Sequence, residues 1–386
     1  MTLFIVVFLA VYGSLNLYAF LKMRNALSIS LKPCLLLISV MAMMVFSPIL
    51  VRVLEKAGLD GAAIILAYGG YTWMAGVLIF FVAGLCLDII RLAVYGLGLL
   101  TGNNVTPIIS AHGIYFVFCL CSALFVVVYG SFEARKITTE YVTISTDKVL
   151  PEGGRVRIAQ VSDVHLGLMM GEDRLRKIID AVQKAQPDLL VSTGDLVDGQ
   201  LDRVEWSSRL FLSLHVPHGK FAVTGNHEFY AGIERSIEVT EMAGFKVLRN
   251  SSFAIPGVIT VAGVDDEVGR GWVQGTSRGE SEVCTALDHK QFTVLLKHRP
   301  VVQKGSPCSF DLQLSGHTHK GQIFPFGLIT RAFFDSYYGL HELKGETHLY
   351  VSRGSGTWGP PIRFLAPPEV TIIDIVPKAH REEVHP

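Results

Sequence analysis

Apolar residues fill long stretches in the first third of the chain and fall into short runs after it. Four of the early stretches come close to the roughly 20 residues with which a helix crosses a bilayer. They cover approximately Leu3–Leu21, Cys34–Val53, Ala67–Ile90 and Ile114–Gly130. The pattern therefore predicts a membrane region of four transmembrane helices over residues 1–132.

The first apolar stretch has a second interpretation, as a cleavable signal peptide. Such a peptide begins with a basic segment. No basic side chain precedes this stretch, however, and three further apolar stretches follow it. A membrane anchor is the better interpretation.

Asp88 and Arg91 stand three positions apart at the end of the third stretch. Ionisable groups inside a membrane can form a proton relay or an ion site. Residues three apart on a helix are also neighbours, and a long arginine side chain can extend from a helix end to the interface. We expect an ion pair at the interface, and hence an anchoring role for the helices.

The basic residues around the apolar stretches give a weak indication of orientation. Lys22, Arg24 and Lys32 follow the first stretch, which predicts a cytoplasmic loop there. With four spans, the C-terminal part of the chain is then extracytoplasmic. The opposite orientation is favoured by basic residues near other span ends, namely Arg52, Lys56, Arg135 and Lys136.

After the membrane region, short β-branched runs alternate with amphipathic segments. A linker with a leading strand is predicted over 133–153, a globular domain over 154–378 and a polar tail over 379–386. The clearest strands are Val156–Val161, Leu189–Thr193, Phe221–Thr224, Val258–Ala262, Phe292–Leu296 and Leu312–Ser315. Helical spacing of apolar residues marks Glu172–Ala185 and the region around Ile233–Ala243. Alternating strands and helices predict a layered α/β domain.

The composition agrees with this division. The whole chain has 34 basic and 34 acidic residues, which argues against a broad basic surface for nucleic acids. Nine charged residues lie in 1–132, which leaves the globular part with an ordinary soluble balance. Cys284 and Cys308 are the cysteines of that part, and they could form a disulfide outside the cell or stay free inside it.

Polar clusters directly follow five of the predicted strands. Because open α/β sheets place their sites at the carboxyl ends of strands, we expect the clusters to converge. They are Asp163-Val164-His165, Gly194-Asp195-Leu196-Val197-Asp198, Gly225-Asn226-His227-Glu228, Lys297-His298-Arg299-Pro300 and Gly316-His317-Thr318-His319.

Each cluster alone has an ordinary structural explanation, since a strand-end histidine is often just hydrogen-bonded and Gly-Asp often forms a turn. The five together are different. Side chains two apart in an extended chain point to the same side, so Asp-x-His and His-x-His can hold one centre. Aspartate, asparagine and histidine are ligands of first-row metals, and the combination predicts a metal site.

These clusters resemble the signature of the calcineurin-like metallophosphoesterases, one by one and in order. The resemblance covers about residues 154–376 and includes Gly321-Gln322 and the segment from Gly356 to Arg363, which look like the bacterial, often membrane-anchored branch. That branch usually has glycine after the second histidine of His-x-His, where this chain has Lys320. No ligand is lost, so the departure concerns substrate contacts.

The resemblance implies a four-layer αββα sandwich and a dinuclear centre. One metal would be bound by Asp163, His165, Asp195 and His319, and the other by Asp195, Asn226, His298 and His317. Asp195 would bridge the two metals, and a hydroxide shared between them would attack phosphorus. His227 would protonate the leaving group or contact the phosphate, with Asp198 holding its imidazole. Manganese, iron and zinc all suit these ligands.

The resemblance and the four apolar stretches together predict a membrane-anchored phosphoesterase. Phosphodiesters and pyrophosphates, including lipid-linked ones, suit an anchored enzyme better than soluble nucleotides do. A sensory or ligand-binding module without turnover is the alternative, although the complete ligand set and His227 argue against it. The expected partners are the phosphoester and the bilayer. The aromatic segment Ile323–Leu340 could line an acyl-chain groove or meet the bilayer, but we expect it to pack into the sandwich core.

Overall fold

A computed structural model describes residues 2–151, 154–199, 205–271, 280–285, 287, 290–302, 310–343 and 345–378. The chain forms two compact units. One consists of Met1–Glu133 with Gly359–Phe364, and the other of Ala134–Trp358 with Leu365–Pro386. The predicted tail 379–386 and the side chains of Cys284 and Cys308 lie outside the described residues.

The first unit is helical. Its helices are α1 (Thr2–Leu27), α2 (Leu31–Lys56), α3 (Asp60–Thr101), α4 (Thr106–Ile109) and α5 (His112–Glu133). The four long helices have the length and the apolar composition to cross a membrane. The four predicted spans thus lie within four long apolar helices.

Helix α3 extends beyond both ends of the predicted third span, Ala67–Ile90. Helix α3 has 42 residues and continues to Thr101. At 1.5 Å per residue it is about 63 Å long, roughly twice the thickness of a bilayer's hydrocarbon core. The apolar pattern marks only its central part, whereas the helix continues until Gly102 takes a left-handed conformation with φ 70°.

Asp88 has closer partners than Arg91. Its carboxylate accepts hydrogen bonds from the Lys22 ammonium at 2.5 and 2.7 Å and from the Tyr18 hydroxyl at 2.7 Å. The predicted pair with Arg91 exists at 3.5 Å, and Arg91 also donates to the carbonyl of Ile109. Asp88 therefore connects α3 to α1, which helical spacing alone could not reveal.

The second unit contains all twelve strands of the described structure. They are β1 (Thr138–Thr146), β2 (Val156–Val161), β3 (Leu189–Ser192), β4 (Lys220–Ala222), β5 (Lys246–Val247), β6 (Ser251–Ala254), β7 (Thr260–Gly263), β8 (Thr293–Leu296), β9 (Leu312–Ser315), β10 (Gly339–Glu342), β11 (His348–Val351) and β12 (Glu369–Pro377). The helices are α6 (Glu172–Ala185), α7 (Glu205–Leu212), α8 (Asn226–Ala231), α9 (Ile233–Met242), α10 (Glu280–Thr285) and α11 (Phe326–Phe333).

The strands form two six-stranded sheets, which pack face to face. Their orders are β1-β12-β2-β3-β4-β5 and β10-β11-β9-β8-β7-β6. Ile158, Val191, Leu296 and Leu314 belong to the core between them. Helix α6 covers the other face of the first sheet through residues such as Ile178, and α10 lies on the outer core of the second sheet. This is the predicted four-layer αββα sandwich.

Parallel pairing brings the predicted polar clusters to common sheet edges. Strands β2, β3 and β4 are parallel neighbours, and so are β8 and β9 in the other sheet. The sequence predicts β2, β9 and α6 with their observed bounds, and the remaining predicted elements differ by one or two residues at their ends. The carboxyl ends of these five strands carry the candidate site.

The Asp88 network gives a stability prediction. Asp88→Asn leaves the partly buried Lys22 without its anionic partner, so the helical unit should lose about 1–2 kcal/mol, or a few degrees of melting temperature. Thermal unfolding in detergent measures the effect.

The compensating double variant distinguishes charge from packing. Lys22→Met with Asp88→Asn should recover part of the loss. Arg24→Met with Asp88→Asn should not, because Arg24 is exposed and the described ion pairs of Asp88 are with Lys22 and Arg91. Equal melting temperatures for all variants would contradict the proposed link between α1 and α3.

Candidate metal centre

The loops after β2, β3, β4, β8 and β9 bring the predicted site residues together. Backbone hydrogen bonds connect these loops directly. The amide of Asp163 donates to the carbonyl of Gly194, and the amide of His165 to that of Asp195, both at 3.0 Å. The amide of Gly316 donates to the carbonyl of His298 at 2.9 Å. Side chains distant in sequence are thus held on a common backbone frame.

Five of the seven predicted metal ligands have left-handed backbone conformations. Their φ angles are 51° for Asp163, 53° for His165, 50° for Asp195, 69° for His317 and 49° for His319. Non-glycine residues rarely adopt such angles, and each costs about 1–3 kcal/mol unless its surroundings compensate. Such strained residues cluster at functional sites.

Three overlapping groups of side chains have the geometry to hold a metal ion. In each group, the ligand atoms lie within 4.8 Å of one another. The groups are Asp163 with His165 and His319, His165 with Asp195 and His227, and Asp195 with His298 and His317. Asp195 and His165 belong to two groups each, so the groups form one continuous centre.

Two close contacts between imidazole nitrogens support this interpretation. Nε2 of His165 lies 3.2 Å from Nε2 of His319, and Nδ1 of His317 lies 3.1 Å from Nε2 of His298. Burial lowers the pKa of His165 to about 4 and that of His317 to about 2, in each case with a cationic imidazole adding to the effect. Neutral imidazoles have free lone pairs, which is the form that binds metals.

Two further buried atoms lack hydrogen-bond partners. Oδ1 of Asn226 and Nδ1 of His165 are buried without one. Unsatisfied buried polar atoms are rare in proteins and need an explanation. By the family resemblance Asn226 would share a metal with Asp195 and His298, and a metal ion would satisfy its buried amide oxygen. The donor set fits a divalent metal.

Two glycines make room for the carboxylates. A Cβ atom at Gly225 would lie 2.2 Å from Oδ1 of Asp195, and one at Gly316 would lie 2.3 Å from Oδ2 of Asp163. Any side chain at either position would displace a predicted ligand. These glycines in the sequence motifs are therefore steric requirements of the centre.

Carboxylates and imidazoles shift one another's pKa values strongly here. Burial alone would raise the pKa of Asp195, but the neighbouring imidazoles, chiefly His298 and His227, together outweigh it and hold that pKa well below its ordinary value. Burial opposes charge on His298, yet Asp195 at 3.2 Å raises the pKa of this imidazole to about 10. Burial also raises the pKa of Asp163 to about 6.

A hydrogen bond on the side of the ring away from Asp195 orients His298. Its Nδ1 lies 2.9 Å from the carbonyl oxygen of Thr193 and donates to it, which directs Nε2 towards Asp195. Imidazoles that bind metals usually donate their second nitrogen in this way.

His227 and Asp198 form a pair beside the centre. Nδ1 of His227 lies 3.0 Å from Oδ1 of Asp198. Burial lowers the pKa of His227, but Asp195 and Asp198 outweigh this effect and raise it to about 9. The His227 ring also lies 4.7 Å from the His165 ring. The structure thus brings together eight of the nine predicted site residues, and the ninth, Asn226, is buried next to His227 in the chain.

Glu228 is a site residue that the sequence interpretation missed. Its buried carboxylate accepts hydrogen bonds from the backbone amides of Gly225, Asp195 and Val197 at 2.7, 3.0 and 3.2 Å. Burial raises its pKa to about 7, with the charge of Asp195 acting in the same direction. Glu228 therefore ties the loop after β3 to the start of α8. In the sequence, the one indication of a role for Glu228 at the site was its position next to Asn226 and His227.

Aromatic rings surround the centre. His227 has ring contacts with Tyr230 and Trp358 at 5.6 and 5.8 Å, and His317 with Phe334 at 5.6 Å. The side-chain amide of Gln322 donates to the carbonyl of Trp358 at 2.8 Å and accepts from its amide at 2.9 Å. These two hydrogen bonds fix the backbone of Trp358. They give a structural role to Gly321-Gln322 and to the segment from Gly356 to Arg363, which contain no metal ligand.

Lys320 adopts a backbone conformation that glycine adopts without strain. Its φ is 52°, in the left-handed region. Its ammonium lies 4.4 Å from the centre of the Tyr338 ring, a favourable cation–π distance. The departure from the family pattern therefore places a basic side chain near the ligand loop without removing a ligand.

Comparison with known proteins agrees with the geometry. The family model described as calcineurin-like phosphoesterase matches residues 156–321. This segment includes all nine predicted site residues.

Three relatives extend the comparison. A protein of Aquifex aeolicus named uncharacterized metallophosphoesterase is 40% identical over 253 residues, which are 65% of this chain and 97% of the relative. The uncharacterized metallophosphoesterase YkuE of Bacillus subtilis is 34% identical over 63% of this chain and 87% of its own length. A transmembrane protein with metallophosphoesterase domain from Danio rerio is 29% identical over 60% and 56%. The chain belongs to the calcineurin-like metallophosphoesterases, which are metal-dependent phosphoester hydrolases.

Proposed function

We propose that this membrane protein hydrolyses a phosphodiester or a pyrophosphate, including lipid-linked ones, at a dinuclear metal centre. The supporting observation is the convergence of six predicted ligands in overlapping groups, two of which share Asp195. A carboxylate has two oxygens, so a group shared in this way can serve two cations and offset their repulsion.

The ligand assignment follows the family resemblance, and two of the three groups agree with it. Asp163, His165 and His319 would hold one metal, and Asn226, His298 and His317 the other, with Asp195 between them. A metal pair would supply a nucleophilic water at neutral pH and positive charge for the phosphoryl oxygens. Manganese, iron and zinc suit these nitrogen and oxygen donors.

The residues around the metals have separate roles. Glu228 holds the backbone of Asp195 and Gly225, which fixes the distance between the two ligand loops. His227 is the proposed proton donor to the leaving group, and its charged form is favoured by Asp198. Asp198 acts as a positioning residue because it holds Nδ1 of His227 and leaves Nε2 free for the phosphoester.

The membrane helices support an anchored enzyme. A phosphodiester or pyrophosphate that is part of a lipid stays in the same bilayer as the anchor. A soluble nucleotide gains nothing from that location. The aromatic rings of Tyr230 and Trp358 beside His227 suit a substrate with apolar parts.

Asp195→Asn tests the shared ligand. The amide lacks the charge that offsets two cations, so metal content should fall at both positions and hydrolysis should be lost. Elemental analysis and a nitrophenyl phosphodiester assay measure the two effects. Asp180→Asn, an exposed carboxylate on α6, should leave both unchanged. Full metal content with near-normal turnover in Asp195→Asn would refute the dinuclear assignment.

His227→Ala tests the proton donor. Both metals should be retained, while the loss of kcat/KM should depend on the leaving group. Basic alkoxide leaving groups need the proton and should lose ~10²–10⁴-fold, whereas a nitrophenolate should lose less. Asp198→Asn should show a milder form of the same dependence. His215→Ala, at an exposed histidine of the same unit, is the control.

A series of phosphodiesters with graded leaving groups provides the measurement for His227. A uniform loss across the series, or the loss of a metal, would assign His227 a different role.

The basic loop between α1 and α2 supports an extracytoplasmic catalytic unit. Alkaline phosphatase becomes active only where its disulfides form, so its fusion after Pro386 should be active in a bacterial host. A fluorescent protein fused there should stay dark, and fusions after Ser30 should give the reverse pattern. An inactive phosphatase after Pro386 with a fluorescent counterpart would place the unit in the cytoplasm.

A further inference from the structure

Helix α11 presents an apolar face to its surroundings beside the metal centre. The exposed fractions are 47% for Phe326, 60% for Leu328, 51% for Ile329 and 79% for Phe333. Of the eight helical residues, all of which are described, Thr330 alone is buried. The expectation that Ile323–Leu340 packs into the sandwich core is therefore wrong for most of this stretch. Phe326–Phe333 forms an amphipathic helix on the surface, although Ile323 itself is buried.

Helix α11 is fixed to the ligand loop by contacts outside this apolar face. A Cβ atom at Gly321 would lie 2.3 Å from Cα of Gly327, so the start of α11 packs directly on the residues that follow His319. The hydroxyl of Thr318 donates to the carbonyl of Tyr337 at 2.6 Å. The ring of Phe334, at the end of the helix, contacts the ring of His317. The apolar face and the metal centre are thus parts of one structure.

The aromatic surface extends beyond the helix. Phe324, just before α11, is 47% exposed, and Trp358 beside His227 is 52% exposed. Monomeric soluble proteins rarely expose large contiguous apolar patches without a function. Here the half-buried ring of Phe334, at the end of α11, contacts His317, and the exposed ring of Trp358 contacts His227.

The chain itself indicates what covers this face. Four helices of membrane length belong to the same polypeptide, so a bilayer is always within reach at a high effective concentration. Short amphipathic helices with phenylalanine and leucine on one face lie in the boundary between headgroups and acyl chains. The exposed Arg331 of α11 provides a cation for lipid phosphates.

We propose that the exposed face of α11 docks on the bilayer surface and that the enzyme takes its phosphoester directly from the membrane. The inference rests on the proposed function and names its substrate class, an amphiphile with a long apolar chain. The apolar part of such a substrate stays at the boundary beside Phe326 and Phe333. The phosphoester group can then reach the ligand loop, which lies next to α11, while the apolar chain stays in the membrane.

Docking is tested first without any substrate. The full-length protein is reconstituted in nanodiscs of phosphatidylcholine and phosphatidylglycerol, with and without brominated acyl chains that quench tryptophan. Phe333→Trp should add a quenched signal to that of the four native tryptophans. Val149→Trp is the control, because Val149 is 84% exposed but follows β1, at the opposite end of the sheet from the site. Its added signal should not be quenched.

The functional consequence is tested with three nitrophenyl phosphodiesters. Their second ester group is methyl, hexyl or octadecyl, and only the octadecyl ester is embedded in the nanodisc. The double variant Ile329→Asp, Phe333→Asp should lower kcat/KM for the octadecyl ester by about tenfold or more, because two large side chains no longer leave water. The methyl and hexyl esters should stay within about twofold, as should all three esters with Val149→Asp.

The alternative outcomes have distinct meanings. An unquenched Phe333→Trp signal overturns the docking even if every ester is hydrolysed normally. Equal losses for the hexyl and octadecyl esters also overturn it, and assign α11 to binding a single acyl chain. Equal losses for all three esters would show a disturbed metal centre. Absence of hydrolysis by the unchanged, metal-loaded protein would count against the proposed function and leave the quenching result valid.

Discussion

The burial of two carboxylates at one point is the constraint on which the catalytic unit depends. Asp163 and Asp195 are both almost fully buried, and placing an ion in a protein interior costs several kcal/mol. Imidazoles, backbone amides and a bound cation must supply the compensation. This requirement explains why histidines surround both residues, why Gly225 and Gly316 carry no side chain, and why five separate loops converge there.

The two sheets provide the rigidity that such a centre needs. Five ligands have left-handed backbone angles, which persist only where the surroundings determine them completely. Buried parallel strands end at the same edges, and hydrogen bonds between their loops fix the relative positions of the ligands. Glu228 extends this framework, since one buried carboxylate receives three backbone amides from two loops. The strain at the centre is thus supported by the cores on both sides of the sheets.

Apolar exposure has a different origin in each unit. In the helical unit, long helices expose uninterrupted apolar surfaces. Their backbone hydrogen bonds form within each helix, as a hydrocarbon environment requires. In the catalytic unit the exposed apolar residues around α11 are few, amphipathic in pattern and next to the ligand loop. The first kind has the length and composition that a bilayer requires, and the second kind is the surface that we propose to dock on the bilayer beside the metal centre.

The sequence by itself determined the four apolar helices, the main strands and the ligand clusters, because these depend on local periodicity and on short spacings. The αββα architecture came from the family resemblance. Local patterns could not show that α3 continues to Thr101, that Asp88 bonds Lys22 on another helix, or that Glu228 joins two loops. They also gave the wrong environment for the segment after His319, since an amphipathic stretch of eight residues looks the same whether its apolar face meets a core or the surface. Tertiary structure decided these points, because each depends on which distant residues become neighbours.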